Sequence, residues 1–378
     1  MRMTSQPRQH KPTVLLLGPA LSAVSGVSTH LNQLLHSGLG HNFELRHFQV
    51  GSQGRSESRL GRLFRLAISS LQLGFAILST HADIVHINVS FDHRSFPRDT
   101  AYAAVSRLLR RRVIWQVHGG STPDTLFANH YLTRFVRLVL RSADAVVLLG
   151  RNQLDTFSAF APEVTYTVIH NAVALDPQVQ VPQEPAEGPL KLVFLGRLAP
   201  EKGIGDCIEC VRLLVAAHRD VRLVIAGSGP AEEDLKADII RSGVANQVTF
   251  SGPLFGAEKD ALWRDSDIFL FPTQHKEGLP YATLESMAAG TVPITTRKGE
   301  QPDVITDGVN GFFVPANNPV ALCDAVTRLD DDRNLLLRTA QKAMATIQGG
   351  YTLEHLGAAF DKLYGSLSRP SPPSPRKS

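Results

Sequence analysis

Short apolar runs alternate with longer amphipathic stretches along nearly the whole chain. In the first half, the runs typical of buried strands are TVLLLG (13–18), FELRHFQV (43–50), DIVHINV (83–89), RVIWQVHG (112–119), AVVLLG (145–150) and YTVIHN (166–171). In the second half they are LKLVFLG (190–196), RLVIAG (222–227), QVTFSG (247–252), DIFLFP (267–272), VPITT (292–296) and GFFVP (311–315). Segments with a 3.6-residue spacing of apolar positions separate these runs. This alternation predicts an α/β fold of βαβ units, in which parallel sheets carry helices on both faces.

A segment without a periodic pattern divides the chain. Residues 174–190 hold four prolines, which is typical of a linker between domains. We therefore predict a first Rossmann-like, doubly wound domain at 12–175, a linker at 176–189 and a second such domain at 190–348. A closing helix at 351–367 is expected to complete the first domain, and the Pro- and Ser-rich tail at 368–378 is expected to be disordered. Two such domains place the largest cleft between them, at the carboxyl ends of the strands.

The amino-acid composition excludes several classes of protein. The 378 residues are 43% hydrophobic and 20% charged, and 39 Lys and Arg nearly balance 35 Asp and Glu for a net charge of +4. These values exclude a wholly disordered chain. Three cysteines exclude a disulfide framework, and no apolar run has the length of a membrane span or a signal sequence. The expected location is therefore the cytoplasm.

The segment HKEGLPYATLESMAAGTVPITT carries two carboxylates near a predicted helix start. Gly278, Leu279 and Pro280 predict a turn that is followed directly by a helix. Glu277 would then precede the amino end of the helix, and Glu285 would lie about one turn inside it. The N–H groups of the first turn suit a phosphate, and each carboxylate can accept hydrogen bonds from a diol. This order matches the sugar, diphosphate and ribose of a nucleotide diphosphate sugar, and two unrelated surface charges are the alternative.

Two cations follow the first strand of the second half. In FLGRLAPEKGIGDCIE the strand ends at a glycine, and Arg197 and Lys202 lie in the loop before the next helix. Two cations in such a loop can clamp an anion, arginine with its planar fork and lysine as a point charge. The alternative is a surface ion pair between Arg197 and Glu201.

Three further features are weaker candidates. The loop after the first strand contains Gly18 and Gly26, small residues that let a backbone approach a phosphate, but its spacing is not that of G-x-G-x-x-G. His118 ends a strand in WQVHGG, where it can bind a substrate or serve as a structural histidine. Cys207 and Cys210 lie one turn apart on a predicted helix, and we expect core residues rather than metal ligands. No D-x-D motif that would hold a divalent metal is present in a predicted loop.

Together these motifs resemble those of a known family. EGLPYATLESMAAGTVPI, preceded about eighty residues earlier by GRLAPEKG, is similar to the signature of the family 4 glycosyltransferases. These are retaining enzymes of the GT-B fold, within the glycosyl transferases group 1. The similarity covers about residues 13–365 and includes the HG at 118–119 and the HNAV at 170–173. HNAV departs from the family's usual Asn-Gly-Val, and the first loop lacks a paired glycine.

The resemblance implies a retaining glycosyltransferase of the hexosyltransferase type. Its substrates would be a nucleotide diphosphate sugar and a hydroxyl acceptor, in the synthesis of cell-surface polysaccharide, glycolipid or glycoconjugate. Cations and helix N–H groups would stabilise the leaving diphosphate in place of a metal ion. Neither a metal nor another cofactor is therefore expected.

The resemblance also implies a role for each candidate residue. The residues implied to contact the donor are Gly18, Gly26, Arg197, Lys202, Gly278, Leu279, Pro280 and Glu285. Among them Arg197 and Lys202 would hold the diphosphate, and Glu285 the ribose. His118 and Glu277 would contact the transferred sugar, and with the two cations they form the implied catalytic set.

Other classes of function stay open. A nucleotide-sugar epimerase can use the same architecture, and so can a phosphorylase, although the cofactor lysine of a phosphorylase has no counterpart in a matching pattern. A non-catalytic nucleotide-sugar-binding protein is the third alternative. Binding to nucleic acid is disfavoured, because the basic clusters lack interleaved aromatic residues and the net charge is modest.

A basic amphipathic segment predicts contact with a membrane surface. Arg55, Arg59, Arg62 and Arg65 are spaced by four, three and three residues, which places them on one broad helical face. Interspersed apolar residues supply a second face, and residues 59–78 include no acid. Such a segment can lie on the anionic inner face of a membrane, which suits a lipid-linked acceptor. The alternative is an ordinary core helix whose arginines face water.

Overall fold

The computed structural model describes residues 11–51, 59–127, 129–185 and 187–368. These residues form two compact units, each built on one parallel sheet. The first unit comprises the described residues up to Leu149, together with Leu154–Ile169 and the chain from Leu353 onwards. The second unit comprises Gly150–Gln153 and His170–Thr352.

The first unit contains a six-stranded sheet. Its strands are β1 (Thr13–Gly18), β2 (Glu44–Gln49), β3 (Ile84–Phe91), β4 (Arg112–Gly120), β5 (Ala145–Leu148) and β6 (Tyr166–Val168). The helices in this part of the chain are α1 (Gly26–His36), α2 (Arg59–Ser79), α3 (Phe96–Leu108), α4 (His130–Arg141) and α5 (Arg151–Phe160). The order across the sheet is β2-β1-β3-β4-β5-β6, and every neighbouring pair is parallel.

Four helices, α2 to α5, cover one face of this sheet. Leu73 of α2, Tyr102 of α3 and Val136 of α4 belong to a single core that also contains Trp115 of β4. Each of these helices connects one strand to a parallel strand that lies closer to the β6 edge of the sheet. All of these connections therefore advance across the sheet in the same direction. Because such crossovers are right-handed, α2, α3 and α4 lie side by side on the same face.

The second unit contains another six-stranded parallel sheet. Its strands are β7 (Leu190–Leu195), β8 (Val221–Ala226), β9 (Val248–Gly252), β10 (Ile268–Phe271), β11 (Val292–Thr295) and β12 (Phe312–Phe313). Its helices are α6 (Ile204–Ala216), α7 (Glu232–Ser242), α8 (Gly256–Arg264), α9 (Tyr281–Ala289), α10 (Gln301–Val304), α11 (Pro319–Asp331) and α12 (Arg333–Gly350). The order across the sheet is β12-β11-β10-β7-β8-β9.

The last helix, α13 (Leu353–Ser368), belongs to the first unit. Its buried Tyr364 hydroxyl lies 2.7 Å from Nδ1 of His86 on β3. On the same helix, Asp361 accepts a hydrogen bond from the Asn42 side chain at 2.6 Å. The helix that the sequence predicts at the end of the chain is therefore present, and it packs on the sheet of the first unit.

The observed elements confirm the predicted α/β class. Each predicted strand run overlaps an observed strand, and both sheets are parallel. The largest differences are at two edges: β6 stops at Val168, and β12 is two residues long. After Val168 the chain leaves the sheet. The Asn171 side chain donates a hydrogen bond to the Leu279 carbonyl, which lies in a loop rather than in a neighbouring strand. Cys207 and Cys210 are fully buried on α6, which confirms their prediction as core residues.

The predicted basic segment is described only in part. Arg55 and the tail from residue 369 lie outside the described residues, as do the side chains of Arg59, Arg62 and Arg65. In the later half of α2, Leu73 and Ile77 are buried in the core. That half therefore packs one face on the core, while Leu71, Phe75 and Leu78 on its other face are exposed. The contact with a membrane stays a prediction. Among the described residues, no helix is both long enough and apolar enough to cross a membrane.

Candidate active site

The candidate site of the second unit lies where the order of the strands reverses. From β7 the chain continues to β8 and β9 on one side, and from β10 it continues to β11 and β12 on the other. The loops that follow β7 and β10 therefore diverge, and a crevice forms at the carboxyl ends of these two neighbouring strands. Arg197 and Lys202 follow β7, and Glu277 follows β10. The topology thus brings the two predicted motifs to one place.

Lys202 and Glu277 form an ion pair between these two loops. Both side chains are largely buried, with 16% and 14% of their surfaces exposed. The Thr273 hydroxyl donates to the same Glu277 oxygen at 3.2 Å. The Lys202 ammonium also lies 5.7 Å from the centre of the Phe271 ring. Because the two charges are paired and hydrogen-bonded, burying them together costs much less free energy than burying either one alone.

Two glycines fix the separation of the loops. Gly203 has φ +75° and lies against the carbonyl oxygen of Pro272, where a β-carbon would collide. Gly299, in the loop after β11, has φ +63° and lies against the carbonyl oxygen of Glu277 in the same way. The backbone position of Glu277 therefore depends on a glycine in a third loop.

Two helices begin directly after this pair of loops, and no side chain caps either of them. α6 begins at Ile204, after the left-handed Gly203. α9 begins at Tyr281, after Pro280, which confirms the predicted start of this helix. Helix amino ends carry a partial positive charge and outward N–H groups, so both ends favour an anion beside Lys202.

The remaining predicted donor residues of the second unit lie around the same crevice. Arg197 is exposed, and in the described part of the chain its side chain forms neither a hydrogen bond nor the alternative ion pair with Glu201. The Gly278 carbonyl accepts from the N–H of Glu300 at 3.3 Å. The carbonyl of the buried Leu279 accepts from the Asn171 side chain at 2.7 Å. These two bonds hold the turn that leads into α9.

Glu285 lies one turn inside α9, as predicted, and binds side chains of α8. Its carboxylate accepts from the Lys259 ammonium at 2.6 Å and from the Trp263 indole N–H at 3.3 Å. Trp263 and Glu285 also line a small pocket that is open to solvent. Glu277 and Glu285 thus have separate partners. Within the described residues, no group of three or more His, Cys, Asp or Glu side chains is placed to hold a metal ion.

In the first unit, Asn88 fixes the tautomer of His118. The Asn88 side-chain N–H group donates to the Leu17 carbonyl at 3.1 Å, so the amide oxygen faces the histidine. That oxygen lies 2.8 Å from Nε2 of His118. An amide oxygen only accepts hydrogen bonds, so Nε2 of His118 carries the proton.

Burial and two neighbouring histidines keep His118 neutral. Burial, followed by the proximity of His30 and His86, holds the pKa of His118 well below its ordinary value of 6.5. The rings of His30 and His118 lie 4.7 Å apart, edge to face. A neutral ring with a proton on Nε2 leaves Nδ1 of His118 as a hydrogen-bond acceptor.

The glycine loop after β1 has a packing role at one of its two positions. A β-carbon on Gly18 would collide with the Leu31 side chain of α1, whereas Gly26, the first residue of α1, has open space beside it. The Ser25 hydroxyl caps α1 by accepting from the N–H of Ser28 at 3.1 Å. The amino end of α1 therefore already has a side-chain partner, unlike those of α6 and α9. The contact of Gly18 and Gly26 with a diphosphate stays a prediction.

Sequence reasoning missed the residues that orient the candidates: Thr273, Lys259, Trp263 and Asn88. Lys259 and Trp263 are four residues apart, a spacing that places them on one face of a helix and indicates a shared partner. Asn88 interrupts the apolar run of β3, and a polar residue in a buried strand indicates a hydrogen-bonding role. Thr273 carries no such signal, because it lies in the irregular loop after β10, and only the conformation of that loop brings its hydroxyl to Glu277.

The fold is that of the GT-B glycosyltransferases, with two Rossmann-like units on parallel sheets. A solved structure with this fold is HepE of Anabaena in complex with UDP-glucose. The two chains superimpose with a TM-score of 0.72 at 16% identity, over 94% of this chain and 99% of HepE. The predicted fold class is thereby confirmed.

Most of the second unit is similar to the glycosyl transferases group 1 domain. Residues 177–346 match this family. Glycogen synthase of Mycobacterium tuberculosis is 27% identical over 233 residues, which cover 61% of this chain and 56% of the relative. The lipopolysaccharide core biosynthesis mannosyltransferase LpcC of Rhizobium leguminosarum bv. viciae is 25% identical over 249 residues, or 62% of this chain and 68% of the relative. The chain spans about half the length of the curated relatives it matches.

A second pair of carboxylates lies at the amino end of α5. Asp303 accepts from the first N–H of α5 at 2.7 Å, and Glu300 accepts from the next two at 3.0 and 3.2 Å. Burial, followed by the proximity of Asp303, raises the pKa of Glu300 to about 7, although these N–H groups and the charge of Lys276 oppose the rise. Glu300 thus lies in the folded protein as a carboxyl that is partly protonated near neutral pH.

Glu300→Gln is expected to flatten the dependence of stability on pH. The carboxyl ionises near its ordinary value of 4.5 in the unfolded chain and near 7 in the folded protein. Between these values the folded state binds more protons, so the free energy of unfolding of the native protein falls as the pH rises. Glutamine does not titrate, and we expect the variant to lose less stability over this range, by on the order of 2 kcal/mol. Urea denaturation followed by circular dichroism at several pH values measures the difference.

The matched control is Glu258→Gln, at an exposed position of α8. This variant should follow the native pH dependence. If Glu300→Gln and the native protein show parallel stability curves from pH 4.5 to 7, the raised pKa of Glu300 is wrong.

Proposed function

We propose that the chain is a retaining glycosyltransferase that moves a sugar from a nucleotide diphosphate sugar to a hydroxyl acceptor. The observation that carries this proposal is the Lys202–Glu277 ion pair at the strand reversal of the second sheet. A cation suited to a phosphate and a carboxylate suited to sugar hydroxyls are in direct contact there. The glycosyl transferases group 1 domain supports the same assignment.

The donor diphosphate binds to Arg197, Lys202 and the amino ends of α6 and α9. When the bond between sugar and phosphate breaks, negative charge develops on the leaving diphosphate. Fixed cations and helix N–H groups stabilise that charge without reorganising. The exposed guanidinium of Arg197 has no competing partner among the described residues. That HepE was solved with UDP-glucose supports a donor of this class.

Glu277 accepts hydrogen bonds from the transferred sugar, and Glu285 accepts them from the ribose diol. A carboxylate offers about four lone-pair sites. Lys259 and Trp263 occupy two of those sites on Glu285, so two remain for a diol. The pocket beside Trp263 and Glu285 supplies space for the ribose ring. The turn Gly278–Pro280 contributes backbone contacts to the donor.

Two features of the first unit belong to the same proposal. His118 accepts, through Nδ1, a hydrogen bond from a hydroxyl of the transferred sugar. Gly18 and Gly26 let the backbone of their loop approach the diphosphate. The neutral state of His118 supports the first role, because a protonated ring has no acceptor to offer.

The transfer keeps the configuration of the anomeric carbon. The acceptor oxygen forms a bond to this carbon from the face of the leaving diphosphate, while the bond between the carbon and the phosphate oxygen breaks. The acceptor proton moves to that phosphate oxygen. Glu277 is not the nucleophile in this scheme, and it acts by orienting the sugar while paired with Lys202.

The proposed acceptor is a hydroxyl of a cell-surface polysaccharide, glycolipid or glycoconjugate, modified in the cytoplasm or on the inner face of the membrane. The name of LpcC, a lipopolysaccharide core mannosyltransferase, supports a lipid-linked acceptor. The segment with Arg55, Arg59, Arg62 and Arg65 is the proposed contact with anionic lipid.

A donor screen tests the proposal. Thermal shift with UDP, GDP and ADP sugars identifies the donor, because a ligand that binds the folded state raises the unfolding temperature. Incubation with the labelled donor then separates the alternatives. Hydrolysis or transfer of the sugar supports a transferase, inversion of a sugar hydroxyl supports an epimerase, and binding without turnover supports a non-catalytic protein.

Lys202→Ala is expected to lower kcat by about 100-fold or more, since it removes one fixed charge-stabilising group. Glu285→Ala should mainly raise the KM for the donor, and Glu277→Gln should impair both constants. Steady-state kinetics with the identified donor measure these effects.

The matched control for Lys202 is Lys191→Ala. Lys191 lies on β7, the strand that leads to Lys202, and pairs with Asp265 at 2.5 Å on an exposed surface. Kinetics of this variant should equal those of the native protein. A Lys202→Ala variant that behaves like the control would reduce the Lys202–Glu277 pair to a structural contact.

Activity is expected to be independent of divalent metal. Arg197, Lys202 and two helix amino ends supply the positive charge that a metal would otherwise bring to the diphosphate. Turnover should therefore survive exhaustive treatment with EDTA. A loss of turnover on chelation that magnesium or manganese restores contradicts the proposed role of these cations.

Substitutions at Asn88 test the role of His118. Asn88→Asp places a negative charge beside Nε2, which raises the pKa of His118. Protonation then removes the Nδ1 acceptor, so kcat of this variant should fall as the pH falls, while the native profile stays flat. Asn88→Leu removes the hydrogen-bond acceptor that fixes the tautomer of His118. This variant should lower kcat by about tenfold without a new pH dependence. A native-like pH profile for Asn88→Asp, with His118 shown by NMR to titrate higher, would exclude His118 from the reaction.

A further inference from the structure

The helix α4 exposes an apolar stripe. Tyr131, Phe135 and Leu138 are spaced by four and three residues, so they lie on one line along the helix. Tyr131 is 78% exposed and Leu138 is 62% exposed. Leu132 beside them is also exposed. Single exposed apolar residues are common on protein surfaces, but a row of them indicates an interaction surface.

This stripe is additional to the face that α4 buries. Val136, Val139 and Leu140 of the same helix are buried in the core of the first unit. The helix is therefore anchored on its sheet by one apolar face while a second apolar face points outwards. Packing within the first unit does not account for the second face.

A basic stripe runs beside the exposed apolar one. Arg134, Arg137 and Arg141 are spaced by three and four residues and are all exposed, and α4 contains no acidic residue. Arg141 lies 3.6 Å from Glu163, and Arg137 lies over the Phe160 ring. Arg134 has no ion pair in the described part of the chain. Even after the pairing with Glu163, the charge of this face is positive.

The same layer contains a second apolar stripe. Leu71, Phe75 and Leu78 of α2 repeat the spacing of four and three residues, and all three are exposed, Phe75 by 74%. Because α2, α3 and α4 lie side by side on one face of the sheet, both stripes belong to the outside of one layer. Leu108, at the end of α3 between them, is exposed as well. We call these side chains of α2, α3 and α4 the outer helix layer.

We propose that the outer helix layer rests on an anionic lipid surface. Its aromatic and leucine side chains enter the boundary between head groups and acyl chains, and the arginines of α4 bind the head-group phosphates. Positive charge without acids beside exposed apolar residues favours lipid over a second copy of the chain, because two copies would bring the arginines of α4 against each other. The outer helix layer shares α2 with the basic segment around Arg55 and extends the lipid contact proposed for that segment to α3 and α4. It does not depend on the proposed transfer reaction.

Sedimentation with vesicles tests this placement. The full chain is mixed with vesicles of phosphatidylglycerol and phosphatidylcholine, or of phosphatidylcholine alone, at low and at high salt. We expect pelleting with the anionic vesicles that weakens at high salt. Phe135→Ser should lower the partition coefficient by about tenfold. Arg134→Gln should lower it about fivefold on anionic vesicles at low salt and leave it unchanged on neutral ones.

Matched controls come from α7 of the second unit. Ile240→Ser and Arg241→Gln make the same kinds of change at exposed positions outside the outer helix layer, and they should leave partitioning unchanged. Thermal unfolding shows whether each variant keeps the native fold. Donor binding in the absence of vesicles should be native in all four variants, which separates failure of the lipid surface from failure of the proposed enzyme.

Two results overturn the placement. One is pelleting that is negligible or equal with anionic and neutral vesicles at both salt concentrations. The other is a concentration-dependent dimer, seen by light scattering, that Phe135→Ser abolishes while vesicle binding is absent. In that case a second copy of the chain covers the outer helix layer.

Discussion

The ion pair between Lys202 and Glu277 is the contact on which the candidate site depends. It joins the loops after β7 and β10, the two strands at which the second sheet changes direction. A buried pair of charges persists only where geometry and additional hydrogen bonds offset the loss of hydration. Thr273 supplies one such bond, and Gly203 lets the two loops approach closely because it has no β-carbon to collide with the Pro272 carbonyl oxygen.

The ion pair between Lys202 and Glu277 also determines which groups give the site its positive potential before an anion binds. Before a ligand binds, the charge of Lys202 is balanced by Glu277, so the positive potential comes from Arg197 and from the amino ends of α6 and α9. A diphosphate would bring its own charge to Lys202 and share the lysine with Glu277. The carboxylate therefore orients the lysine in the free protein.

The sequence predicted the sheets well because alternation of apolar and amphipathic segments is a local property. The start of α9 and the burial of Cys207 and Cys210 were predictable for the same reason. Turns and helical spacing depend on residues that are close together in the sequence. The partners of Glu285 were not predictable, since Lys259 and Trp263 reach it only through the packing of α8 against α9. The tautomer of His118 likewise depends on Asn88 of a neighbouring strand, and strand order is not visible in the residues themselves.

Gly203 and Gly299 differ from Gly18 in whether a larger residue at their position could be accommodated by a second substitution. Gly203 and Gly299 each face a backbone carbonyl oxygen, which every amino acid possesses, so no substitution elsewhere makes room for a side chain. Gly18 faces the side chain of Leu31, which a smaller residue can replace. Packing alone therefore allows position 18 to vary together with position 31 among homologues, whereas positions 203 and 299 have no partner with which to covary.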